Sequence, residues 1–142
     1  MKKQWLLGAA LVTTAAFSTA ASAHHSGAMF DDTKLVRFEG VVEKWEWANP
    51  HSFLYLAIKG PDGTEKRYQF ETGSPNTMFR SGWRVDSFKP GDKIGIYAYP
   101  LKQGVGGMMV TARTAAGQAL QWLPAAATAK ATIINDPTPY LK

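Results

Sequence analysis

The sequence has no cysteine. That excludes a disulfide scaffold, a thiolate zinc site, a cysteine nucleophile and c-type haem attachment. It also excludes a blue-copper centre, which needs a thiolate ligand. The motifs of common hydrolases are missing too. There is no Gly-x-Ser-x-Gly elbow and no His-Glu-x-x-His pair. Ser26 and Ser52 each follow a histidine, but adjacent side chains on an extended chain point apart, so neither makes a nucleophile–base pair. Gly104-Val105-Gly106-Gly107 lacks the strand-before, helix-after setting of a phosphate loop and reads as a connection. Glu39, Glu43, Glu46 and Glu71 are spaced as a solvated face would be. The expectation is a protein that is not an enzyme, with no catalytic residues.

What is present is the composition of one globular domain. The chain has 142 residues, 45% of them hydrophobic and 19% charged, which is long enough for one core and too apolar for wholesale disorder. Residues 1–23 read as an address. Lys2 and Lys3 precede the apolar run Trp5–Val12, and Ala21-Ser22-Ala23 supplies small residues at a cleavage point. The run is too short to anchor in a bilayer, so the mature chain is expected to have no transmembrane segment. Without a lipobox cysteine, the address is the bacterial periplasm or secretion. Removing Lys2 and Lys3 lowers the formal charge from +5 to +3 and makes His24 the new N-terminus. So mild a positive balance calls for no nucleic-acid partner.

Residues 24–123 carry the pattern of short strands. From Leu35 to Trp47, apolar and charged residues alternate, and the phase slips after Gly40. A slip at a glycine inside a long strand predicts a bulge or bend there. Leu54, Leu56 and Ile58 define one face of a second strand. Gly60-Pro61-Asp62-Gly63 is a turn, and Tyr68 and Phe70 mark the apolar face of a third strand. Ser74-Pro75 then signals a helix start and Gly82 its stop. After Lys89-Pro90-Gly91-Asp92 come a fourth strand facing inward at Ile94, Ile96 and Ala98, a fifth over Met108–Thr114, and a short sixth ending near Trp122. The fold expected is all-β: a small five- to six-stranded barrel of the oligonucleotide/oligosaccharide-binding (OB) type, with one short helix between strands three and four. The alternative is a β-sandwich. Residues 124–142, with five alanines and three prolines, read as a loosely ordered tail in which Ile133-Ile134 can add an edge strand.

The chemistry-bearing residues are few. His24 and His25 open the mature chain, and His51 follows Asn49-Pro50 at the turn between the first two strands. A free α-amino group and its own imidazole close a chelate ring on a divalent ion, and Cu(II) accepts such tetragonal nitrogen sets. His25 or His51 can complete three nitrogens. The expected metal ligands are therefore His24, His25 and His51, and the expected metal, if there is one, is copper. The plainer alternative is a solvated terminus and a turn histidine bonded to backbone. Asp31-Asp32 can add a carboxylate to a metal, or cap the start of the first strand. Met29, Met78, Met108 and Met109 can offer thioethers, but no Met-x-Met or Met-x-x-Met run exists. Met108 and Met109 point to opposite faces of a strand, so only one can be core. Trp45, Trp47, Trp83 and Trp122 can stack bases or sugars. Glu43 and Glu46 beside them would repel a phosphate backbone, so core or rim packing is preferred.

Taken together, several motifs resemble a family of small exported bacterial proteins described only as a domain of unknown function. They are Ala23-His24-His25-Ser26 with Phe30-Asp31, Trp47-Ala48-Asn49-Pro50-His51, Glu71-Thr72-Gly73-Ser74-Pro75, Arg80-Ser81-Gly82-Trp83 and Lys89-Pro90-Gly91-Asp92. They span roughly residues 23–120. The resemblance implies a periplasmic β-rich domain with no established catalytic residues. It also implies that the His-His-Ser start and the Asn-Pro-His turn go together. Gly27-Ala28-Met29 departs from it, being smaller than the aromatic-containing stretch of relatives. If that stretch packs over the site, the site is held more loosely here. The sequence thus supports a non-enzymatic small-ligand-binding domain whose partner is a metal ion or small ligand. Two alternatives are a metal-free module that docks a periplasmic protein, and an accessory domain that binds haem or a glycan.

Overall fold

The computed structural model describes residues 27–142. The expected export signal and the His24-His25 start lie outside the described residues. Among the described residues, no helix is long and apolar enough to cross a membrane.

The chain is all-β, and its strands form a single sheet rather than two stacked ones. The strands are β1 (Lys34–Glu46), β2 (Phe53–Lys59), β3 (Glu65–Glu71), β4 (Lys93–Pro100), β5 (Gly107–Arg113), β6 (Ala119–Gln121) and β7 (Thr132–Ile134). The helices are α1 (Pro75–Arg80) between β3 and β4, and a single turn, α2 (Ala125–Thr128). Five strands close on themselves in the order β1-β2-β3-β5-β4 and back to β1, with β6 on β5 and β7 on β1. Every pairing within the ring is antiparallel except β3 with β5, which is parallel and joins only Phe70 to Gly107 and Glu71 to Met108.

β1 makes the ring possible, because it is long enough to serve two neighbours. Its first part, Val36–Val41, pairs with β4, and Val41–Glu46 pairs with β2. The phase slip expected at Gly40 comes later: the register shifts between Val42 and Lys44, which leaves Glu43 as the extra residue. Val36, Phe38 and Val42 face inward, and Trp45 resumes that face beyond the bulge. Gly40 is required for a different reason. A Cβ there would lie 2.6 Å from the Ala57 carbonyl oxygen, so only glycine lets β1 approach β2 where the strand changes partner.

The core fills the ring. Leu54, Leu56 and Ile58 from β2, Tyr68 and Phe70 from β3, Ile94, Ile96 and Ala98 from β4, and Met109 from β5 are all buried there, as their alternation predicts. Of the methionine pair, Met109 is core and Met108 lies over the opposite face. Helix α1 forms where local signals are complete. The Ser74 hydroxyl accepts from the Thr77 N–H at 3.3 Å, and Pro75 stands in the first turn. At the other end the Trp83 N–H donates to Met78 O and the Gly82 N–H to Phe79 O, each about 3.0–3.1 Å, while Gly82 holds φ +91°. That is a Schellman stop. It turns Trp83, fully buried, into the core beside Trp45 and Phe88. All four tryptophans expected to pack do so: Trp83 is within the core, and Trp45, Trp47 and Trp122 lie against it.

Residues 124–142 are fastened to this ring. β7 pairs in parallel with the start of β1, Lys34 with Thr132 to Val36 with Ile134. Leu141 is buried in the core, and its carbonyl accepts from the Tyr68 hydroxyl at 3.0 Å. On the outer face, Phe30, Leu35, Tyr99 and Val110 form a second cluster that Leu123 and Ala131 cover. Among the described residues the strands number seven, one more than expected, because Ile133-Ile134 does join the sheet. Three residues are too few to show a period, and their partner on β1 is distant in the chain.

Asp31 caps the start of β1. Its carboxylate accepts from the Thr33 N–H at 3.2 Å and pairs with Lys34 at 2.7 Å. Lys34, then Thr33, hold the Asp31 carboxyl down to about 2. A lowered folded-state value favours folding once the unfolded carboxyl has ionised, near pH 4, and the gain is lost as pH falls toward 2. Asp31→Asn should flatten the acid limb of the stability curve in that window: it should lower stability at pH 7, where the gain is fully present, and change little near pH 2. Denaturation midpoints from pH 2 to 7 would check this, and an unchanged acid limb would refute it.

Candidate functional site

The site of interest is the end of the ring where β1 leaves, β2 begins and β3 ends. The turn between β1 and β2 holds Trp47 to Ser52 and includes a cis Asn49–Pro50 bond. The stretch after β3 holds Thr72 to Ser74. Backbone bonds tie the two together. The Ser52 N–H donates to Gly73 O at 3.0 Å, and the Thr72 N–H donates to Ser52 O at 2.9 Å. The buried Thr72 hydroxyl adds a second donor to Ser52 O at 3.0 Å. The β2–β3 ladder thus runs on past both strands. It brings together two of the motifs read in the sequence, Trp-Ala-Asn-Pro-His and Glu-Thr-Gly-Ser-Pro. Trp122 closes the side: its indole N–H donates to Met109 O, and its ring lies against Gly73.

His51 sits on this junction, about one third exposed, and its Nδ1 bonds the Glu71 carboxylate. A carboxylate only accepts, so Nδ1 carries the proton and Nε2 becomes the basic ring nitrogen. That is the usual support for a metal-binding histidine, whose second nitrogen is oriented by a carboxylate. The same pair could also hold a proton for acid–base work. The nearby hydroxyls argue against a nucleophile, however. Ser52 Oγ is turned to the Ala48 carbonyl, at 3.5 Å, and Ser74 Oγ caps α1.

Of the residues singled out in the sequence, His51 bonds a side chain, the Glu71 carboxylate. His24 and His25 lie outside the described residues. Asp31 is occupied by Thr33 and Lys34. Among the described residues, no three histidine or acidic side chains gather as a metal cage. A metal on His51 therefore needs ligands from outside that set, such as the chain start. Sequence reasoning missed Glu71, which it placed on a solvated face. The signal was the hairpin register. A β2–β3 turn centred on Asp62 pairs Phe53 with Glu71, and that leaves the Glu71 side chain one diagonal step from His51.

Comparison with known proteins adds one finding. A model of a family described as a family of unknown function (DUF6152) matches residues 11–112. No curated protein and no solved structure matches the chain.

Proposed function

Because the chain belongs to the family of unknown function (DUF6152), which brings no activity with it, we propose a function from the chemistry of its own residues. The protein is a non-enzymatic domain of the bacterial periplasm, or a secreted one, that binds a small ligand. In its most specific form the ligand is copper, held by the His24 amine and ring with His25 or His51. The observation that carries the reading is the His51–Glu71 pair, since a carboxylate on Nδ1 orients Nε2 as a ligand nitrogen. The strand order and the place of α1 support an OB-type barrel as the scaffold. The turn that carries His51 is pinned by buried Ser52 and Thr72, so the imidazole is presented from a rigid support.

The test is Cu(II) binding to protein whose first residue is His24, followed with a competing chelator and by EPR. One ion per chain is expected, with nitrogen hyperfine structure. An added N-terminal Met should abolish tight binding. His51→Ala should weaken it about 100-fold, and Glu71→Gln, which acts through His51, about 10-fold. Binding that is weak, or indifferent to His51 and Glu71, would overturn the copper reading. One stoichiometric protein partner, retained by His24→Ala, would replace it with a docking module.

A further inference from the structure

A second candidate site lies away from His51, on the outer face of β1, β4 and β5. An open groove of about 960 Å³ runs there and round the end of the ring, at the upper end of the range of ligand-binding clefts. Arg37, Lys59, Lys93 and Arg113 line it against two carboxylates, Glu39 and Glu65. The registers place Arg37 and Thr111 on either side of Tyr97, and Glu39 and Arg113 on either side of Gly95. Ile94 and Ile96 are buried in the core, so Gly95 and Tyr97 face the groove.

Gly95 is the telling residue. It stands inside a strand, where glycine is less stable than a residue with a side chain. Nothing in the fold demands it: a Cβ there would find its nearest neighbour 3.8 Å away, on Glu39, and its φ is not in the left-handed region. The missing side chain leaves a floor between an arginine and a glutamate, next to an aromatic ring. A flat ring next to a smooth floor suits a sugar ring, and guanidinium groups suit a carboxylate. We propose that this face binds an acidic oligosaccharide. One uronate ring would lie over Gly95 against Tyr97, with its carboxylate at Arg113 and the chain continuing toward Arg37. The Arg113 guanidinium is already held in place by a bond from Nη1 to Gly117 O at 2.7 Å.

The test uses the purified full chain, a galacturonate oligomer, the matching neutral galactose oligomer and inorganic phosphate, by calorimetry and NMR. Saturable binding of the acidic oligomer is expected, at least about 10-fold tighter than that of the neutral one. Gly95→Val fills the floor with a good strand former, and Arg113→Gln removes the charge. Each should weaken binding about 10-fold. If Gly95→Val disturbs the fold by circular dichroism, Arg113→Gln with NMR mapping at Tyr97 decides alone. The proposal is overturned by absence of saturable binding, by equal affinity for the neutral oligomer, by phosphate binding as tightly, or by indifference to Arg113→Gln.

Discussion

Gly106→Ala is expected to lower the unfolding free energy by about 3–5 kcal/mol, enough to leave a domain of this size barely folded. Gly91→Ala, by contrast, should lose about 1 kcal/mol. Both glycines hold positive φ, +100° and +93°, so both replacements bear the left-handed strain of about 1–2 kcal/mol. They differ in what a Cβ would meet. At Gly91 it meets nothing within 4 Å, and at Gly106 it would lie 2.2 Å from the Gln69 backbone oxygen. That oxygen belongs to β3, at the two-residue parallel seam that closes the ring. β3 cannot retreat without opening the seam. Urea denaturation of the two variants separates the effects. Equal midpoints would show that conformational strain alone sets the preference for glycine.

A chain ended after Ala131 is expected to lose about 3–5 kcal/mol, and Leu141→Ala about 2–3 kcal/mol, at the low end for a core leucine because the site lies at the core's edge. The shortened chain loses the Leu141 side chain, the packing of Ile134 and Tyr140 on the core, and the pairing of β7 with β1. The Tyr68 hydroxyl also loses its Leu141 acceptor. That loss counts for little in the shortened chain, because water reaches the hydroxyl once the segment is gone. The shortened chain should therefore unfold at a lower denaturant concentration than Leu141→Ala, with Tyr68 newly accessible to solvent. A midpoint equal to that of the full chain would refute the role given to residues 132–141.

How much of this was legible in the sequence depended on the range of the interaction. β2, β3 and their turn follow from alternation and from Gly60-Pro61-Asp62-Gly63, all within twenty residues. α1 was legible because Ser74, Pro75 and Gly82 act on their own backbone. The β1 bulge was misplaced, because a glycine is visible in a sequence while a register shift belongs to two strands at once. Gly40 answers to the Ala57 backbone and Glu43 to the pairing with β2. Leu141 gave no sign of its burial, since its neighbours are Pro139, Tyr140 and Lys142 and its contacts lie on the ring. At the site, His51 was legible by residue type. Glu71 was not, because a carboxylate on a strand looks solvated until the hairpin register sets it beside an imidazole.

The pairing of β1 with β7 also orders events in time. Lys34–Val36 are made well before Thr132–Ile134, yet they form one ladder, and Leu141 completes the core that Phe38 begins. While the chain is being made, its first strand waits for an edge partner, and the core stays open at one end until residues 132–141 arrive. Such pairings at long sequence separation slow folding, because the loop entropy is lost before the contact is gained. A nascent chain of this design stays incompletely folded until residues 132–141 have been made.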